Sequence, residues 1–291
     1  GFYDRLQQPN NNRFRFYSSR LYTWFINPIV EDLKKNEIQT LVVSPDGILG
    51  LIPFGALFDG KHYLIEKYAV AVVPGITLTL QQQKFKKMNA LACGISCASG
   101  NFPALPHVSE ELHAVKSIIG GTILENDIFT TDTFMETLSQ TPFNILHIAT
   151  HGNFGPTPDQ TFLLTHSGKF TMEQLRQLVF HLKFRNQPVE LITLSACQTA
   201  AGDERSALGL GGTALNTGVE TALATLWTVD DQTAFMMVKS FYETLLSFKT
   251  TAKPGQTKSK ALQTAQVRLM GNPSFKHPFY WAPFVLIGNW L

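Results

Sequence analysis

With 291 residues the chain is long enough for one large domain or two modest ones around a substantial core. Charged residues make up 16%, against a usual ~25%, while 44% are hydrophobic, so some faces are expected to pack against another domain or subunit. A net charge of +2 gives no footprint for nucleic acid, and no apolar run approaches the ~18 residues of a membrane-spanning helix.

In chain order, residues 13–36 read as a helix, with Phe16, Leu21, Phe25, Ile29 and Leu33 at helical spacing and Pro28 as an interruption. Short β-type runs follow at Thr40 to Ser44, Ile48 to Pro53 and Ala69 to Val73, and the polar stretch Gln81 to Lys87 closes this first section, residues 1–88. From 89 to 291 strands and helices alternate, the signature of a mainly parallel sheet. Strands are predicted at 90–95, 121–125, 143–150, 189–196, 221–227 and 283–287, and helices at 108–119, 131–139, 171–180, 206–217, 231–247 and 258–270. Ser109-Glu110-Glu111 and Thr171-Met172-Glu173 place a hydroxyl cap ahead of acidic residues. The run Thr250 to Lys260, with Lys253-Pro254-Gly255, reads as a flexible loop and a candidate site of self-cleavage.

Three cysteines, Cys93, Cys97 and Cys197, form no secreted-type framework and fit a reducing cytoplasm. Cys93 and Cys97 have no neighbours that would complete a metal site, so neither metal nor cofactor is expected. The opening residues do not resemble a secretory leader, and the abrupt start at Gly1 reads as an excised fragment with a domain upstream.

Two apolar runs end at reactive side chains: Ile145 to Thr150 meets His151-Gly152, and Val189 to Ala196 meets Cys197. Right-handed crossovers would set the two strands side by side and bring both residues to one carboxyl edge, where open α/β sheets place their ligands. A thiol of pKa ~8.5 is only slightly ionised at neutral pH, and an adjacent imidazole raises the thiolate fraction and later protonates the leaving amine. His151 would be that base and acid, and the N–H groups of Gly152 and Cys197 the donors to the oxyanion. Singly, each residue is more simply a core side chain. Jointly, both stand just past their strands, ahead of small or polar loops. His147, deeper in the first run, reads as a buried support, and His62, His107, His113, His166, His181 and His277 show no partner.

The stretches Leu146 to Gly152 and Leu194-Ser195-Ala196-Cys197-Gln198-Thr199 resemble the His-Gly and Ser-Ala-Cys motifs of CHAT domains, caspase-like (clan CD) cysteine peptidases related to separase, metacaspases and caspases. Ser44 to Leu49 with Ile52-Pro53-Phe54, Tyr63 to Tyr68, Ala224 to Trp227, and Tyr280 to Phe284 are similar to further segments of the family, extending the resemblance over roughly residues 20–291. The run Cys197 to Asp203 with the Gly-rich helix after it is similar to cyanobacterial proteins of the HetF type. The resemblance implies a six-stranded caspase-like α/β sheet sandwiched by helices, with residues 1–88 as a pseudo-caspase-like support and 89–291 as the catalytic section of one CHAT domain. It also implies a peptide substrate, and an upstream tetratricopeptide-repeat or sensor domain as regulator.

For specificity, Trp227-Thr228-Val229-Asp230-Asp231 would leave the sheet at the same edge as the dyad. A carboxylate there would select Lys or Arg before the cut, as the similar acidic stretch of separase implies. The competing role for Asp230 or Asp231 is to cap the helix that follows. Asp203 and Glu204 are a second acidic candidate, more simply solvated, and Trp281 is either a cleft wall, as the family implies, or core. Two further readings remain: a catalytically idle scaffold, and a nucleotide-binding domain suggested by Gly209-Leu210-Gly211-Gly212, although those glycines do not directly follow a strand.

Overall fold

A computed structural model describes residues 1–75, 88–153, 161–171, 173–177, 189–195, 219–251 and 255–291. The residues before β1 form α1 (Phe2–Leu6), α2 (Phe14–Phe25) and α3 (Val30–Lys35), with a 3-10 turn at Asn27–Ile29 where Pro28 breaks the predicted long helix. Then come β1 (Thr40–Val43), α4 (Leu64–Lys67), β2 (Ala69–Val72), β3 (Ala90–Gly94), α5 (Val108–Ile119), β4 (Gly121–Glu125), α6 (Thr131–Gln140) and β5 (Ile145–Ala149). After these follow β6 (Gly152–Asn153), β7 (Phe162–Thr165), β8 (Gly168–Thr171), β9 (Leu191–Leu194), β10 (Thr221–Thr225), α7 (Asp231–Thr251), α8 (Lys258–Met270), α9 (Pro278–Trp281) and β11 (Phe284–Gly288).

Eight strands make one sheet in the order β1-β2-β11-β10-β9-β5-β3-β4, mixed α/β and mainly parallel. All six predicted strands of the second section are in it, and β1 and β2 of the first section extend it through the pair Ile287 and Val72. Only the β10–β11 junction is antiparallel. Helices cover both faces. On one, Val108, Leu112, Val115 and Ile119 of α5 recur every three to four residues and bury against Ala90, Ala92, Ile145, Ala149, Leu191 and Leu223, with α7 and α8 beside them. On the other, Phe134 and Leu138 of α6 pack with Leu175 on Leu91, Cys93, Leu146, Ile148, Ile192 and Leu194. The alternation of strand residues between the two clusters is the period-two pattern of a sheet buried on both sides.

The sections are stitched by polar contacts as well as apolar ones. Gln263 Nε2 donates to Ile65 O at 2.7 Å, and Tyr3 OH donates to Leu226 O at 2.6 Å while its ring meets Trp227 edge to face. Gly94 ends β3 in a tight place: a Cβ there would lie 2.6 Å from both Ala149 O and Val108 Cγ1. This absence of a side chain lets α5 begin close over the ends of β3 and β5.

Four expectations change. Ile48 to Pro53 is no strand, because Gly47 at φ +53° starts a 3-10 turn over Gly47–Leu51. Ser109 does not cap α5, which begins at Val108 with no side-chain cap of its own; the Asp231 carboxylate accepts the N–H of His107, its first flanking residue, instead. The loop expected over Thr250 to Lys260 is shorter, since α7 runs to Thr251 and α8 starts at Lys258 behind its Thr257 cap. A three-stranded antiparallel sheet, β6-β7-β8, was not anticipated. Thr171, by contrast, does cap the turn after β8: its Oγ1 accepts Gln174 N–H at 3.2 Å while Gln174 Oε1 accepts Thr171 N–H at 2.7 Å. Cys197, the helix predicted at 206–217, Asp203, Glu204, His181, the glycines 209–212 and the stretch 81–87 lie outside the described residues.

Candidate active site

β5 and β9 are parallel neighbours, with His147 level with Thr193 and Ile148 with Leu194. His151 stands two residues beyond β5 at the carboxyl edge of the sheet and is buried. Its Nε2 lies 2.8 Å from Pro103 O, and its ring stacks on Phe102 with centroids 5.1 Å apart. A carbonyl can only accept, so Nε2 carries a proton, and the neutral form of such a ring has its lone pair on Nδ1. Nδ1 is buried and has no hydrogen-bond partner among the described residues. The imidazole is thus anchored through Nε2–H, leaving Nδ1 as the nitrogen that can act as a base.

The small sheet secures the residues on either side of this ring. Leu164 N–H donates to His151 O at 2.8 Å, and Thr150 Oγ1 donates to Leu164 O at 2.9 Å. His151 and Leu164 therefore stand opposite each other, joined by one backbone hydrogen bond. The next pair, Gly152 with Leu163, is of the non-hydrogen-bonded kind, whose N–H and C=O turn away from β7. Gly152 N–H is thereby directed away from the hairpin.

β10 runs parallel to β9, so Leu226 to Asp231 leave the sheet at the same edge as His151. Asp230 is exposed and caps α7, its Oδ1 accepting Thr233 N–H at 3.0 Å. Asp231 is half-buried; Oδ2 accepts His107 N–H at 2.7 Å, while Oδ1 is buried without a hydrogen-bond partner among the described residues. Burial pushes its pKa above the ordinary value. Trp281 is fully buried, its indole N–H donating to Lys276 O and its ring meeting Tyr63 edge to face. His147 is sealed in the core as expected of a support. Among the described residues no three of His, Cys, Asp and Glu gather as metal ligands. Burial drives the Cys93 thiol pKa well up, whereas Cys97 is exposed.

Sequence reasoning missed Phe102 and Pro103, and read Glu111 only as an acidic residue of the first turn of α5. Glu111, 1% exposed, lies against His147. It had a legible signal, being a lone carboxylate at a buried spacing between Val108 and Val115. Pro103 acts through a backbone carbonyl, which carries no residue signature.

The family model for the CHAT domain matches residues 15–289. The chain belongs to the CHAT domain family. Its similar curated relatives are tetratricopeptide repeat protein 28 from Homo sapiens, 23% identical over 304 residues, and from Mus musculus, 25% identical over 305 residues. Each alignment covers 86% of this chain but 12% of the relative, so this CHAT domain spans about an eighth of their length. Among solved structures, the Arg-specific cysteine proteinase gingipain R superposes with TM-score 0.57 at 10% identity, covering 99% of this chain and 73% of that one. The complex of Porphyromonas gingivalis RgpB pro- and mature domains gives TM-score 0.54 at 8% identity, with 99% and 74% covered. These likenesses establish the caspase-like fold of the CHAT domain seen here. No helix among the described residues is long and apolar enough to cross a membrane.

Proposed function

We propose that this CHAT domain is a cysteine endopeptidase in which Cys197 is the nucleophile and His151 the general base and acid. The observation that carries the reading is His151 itself, buried at the carboxyl edge, anchored through Nε2 to Pro103 O, with Nδ1 unengaged by any described residue. Register supports Cys197 as its partner. β5 and β9 pair with an offset of 46 residues (193 − 147), and 197 − 151 is also 46. Nδ1 takes the thiol proton, and the thiolate attacks the scissile carbonyl to give a tetrahedral oxyanion. The N–H groups of Gly152 and Cys197 stabilise that charge. The imidazolium then protonates the leaving amine, and a water deprotonated by His151 hydrolyses the thioester. Throughout, Nε2–H remains on Pro103 O.

The residue before the cut is basic in this reading. Support comes from Asp231, whose Oδ1 lacks a partner at the right edge of the sheet, with Asp230 exposed beside it. The Arg specificity named for gingipain R agrees with it. Control of limited cleavage by an attached repeat domain is the extension that the tetratricopeptide-repeat relatives suggest, and the cysteine usage suits a reducing cytoplasm.

A thiol-directed covalent probe built on an Arg-terminated peptide tests both levels. The expected result is labelling of the parent, loss in Cys197→Ala and strong reduction in His151→Ala, with Asp231→Asn shifting preference away from Arg. Equal labelling of all variants would favour an idle scaffold. An unchanged Arg preference in Asp231→Asn and Asp230→Asn would refute the pocket alone.

A further inference from the structure

We propose that Asn126 is a positioning residue for His151, acting through the loop that joins β3 to α5. The inference rests on the reading of His151 as the catalytic base. Asn126 lies directly after β4, on the far side of β3 from His151, and has the left-handed φ of +52° that Asn tolerates better than most residues. Its side chain closes on the root of the loop. Oδ1 accepts Ser96 N–H at 2.9 Å and Cys97 N–H at 3.4 Å, and Nδ2 donates to Ser96 Oγ at 2.9 Å. Ser96 O in turn accepts Leu105 N–H at 2.9 Å, which draws the two limbs of the loop together. Between them Ser99 and Phe102 exchange backbone hydrogen bonds of 3.1 and 3.0 Å. The next residue along presents the carbonyl that holds His151 Nε2, and Phe102 stacks on the ring.

The chain of contacts is therefore continuous, from the Asn126 amide through Ser96 and Leu105 to Phe102, Pro103 and the imidazole. Most of these links fix backbone groups, and the Phe102 ring closes on the imidazole itself. The Pro103 carbonyl is what keeps the His151 proton on Nε2, so an error in its place converts directly into the wrong tautomer. Displacements of about 1 Å far from the chemistry can cost on the order of a hundredfold in rate.

Two substitutions separate the clasp from the backbone. Asn126→Gly adopts the left-handed conformation freely and removes the clasp. Asn126→Asp keeps an acceptor for both loop N–H groups. Hydrolysis of an Arg-containing peptide by the full chain should show kcat lowered about tenfold or more in Asn126→Gly, with KM within about twofold. Asn126→Asp should recover part of the loss. In parallel, 15N spectra of labelled histidine, with the His151 signal assigned by its loss in His151→Ala, should report Nε2–H in the parent and a mixture of tautomers in Asn126→Gly. A parent-like tautomer and kcat in Asn126→Gly would overturn the proposal. A disturbed tautomer in a chain that never cleaves peptide would uphold the positioning role and reject the peptidase reading instead.

Discussion

His147 Nε2 lies 2.8 Å from Glu111 Oε1, and both side chains are sealed from solvent between β5 and α5. Among the described residues neither atom makes a hydrogen bond of good geometry, so the contact is one of charge and proximity. This polar pair ties α5 to the same strand that delivers His151 four residues later. Removing one member leaves the other buried alone, which costs about 2–4 kcal/mol, whereas replacing both with apolar groups is far less costly. Glu111→Ala should therefore destabilise by about that amount in urea unfolding, and the double variant Glu111→Leu, His147→Leu by clearly less. A Glu111→Ala cost under about 1 kcal/mol would mean that the pair contributes nothing.

Next to that pair, Tyr242 OH and Thr193 Oγ1 are 2.8 Å apart and both buried, joining α7 to β9. Burial raises the Tyr242 pKa beyond the alkaline range of ordinary buffers, so the phenol stays neutral and can donate. Tyr242→Phe should cost about 1–3 kcal/mol by orphaning the threonine hydroxyl, and Thr193→Val in the same chain should recover part of it. Additive effects of the two substitutions in a double-mutant cycle would count against a direct bond.

The central strands of the second section were legible because each is a short apolar run ended by Gly, Pro or polar residues and buried on both faces, while the half-buried edge strand β4 was legible from Thr122-Ile123-Leu124. α5 was legible to the residue, since its apolar spacing and the Gly120 stop agree. The hairpin of β7 and β8 was missed although Ser167-Gly168 marked its turn: Thr165 pairs with Gly168 across two residues, and Gly168 has φ +127°. The position of His151 could be read, but its orientation could not. That orientation depends on a carbonyl 48 residues upstream, and every residue type has a carbonyl.

Gly94 predicts a steric test of how β3, β5 and α5 share the edge. An added methyl would meet Ala149 O and Val108 Cγ1 at 2.6 Å, and the carbonyl is backbone that can yield only by moving β5. Gly94→Ala should destabilise by about 1–3 kcal/mol and lower peptide hydrolysis more than its fraction unfolded explains, because Ala149 is two residues from His151. Parent-like melting and turnover would show that the edge adapts without loss.

Lys258 gives a pH dependence with a definite sign. It is 2% exposed at the start of α8, and its Nζ donates to Leu291 O at 2.5 Å. Burial lowers its pKa from 10.5 to about 8, against the opposing pull of Glu220 and Glu190 at the amino ends of β10 and β9. In the unfolded chain the amine keeps its proton up to about pH 10.4, so between the two values the unfolded state binds more protons and folding stability rises with pH. Its contribution is fully present above the unfolded pKa and is lost as pH falls through about 8. At ~1.4 kcal/mol per pKa unit the full swing is on the order of 3 kcal/mol. Because tyrosines of an unfolded chain ionise near pH ~10, the measurement is a difference: unfolding free energy of the parent minus that of Lys258→Met, followed from about pH 7 to about pH 11. The difference should climb with pH and level off near the top. If it stays flat, the folded-state amine titrates like a solvated one, and Glu190 and Glu220 offset its burial in full.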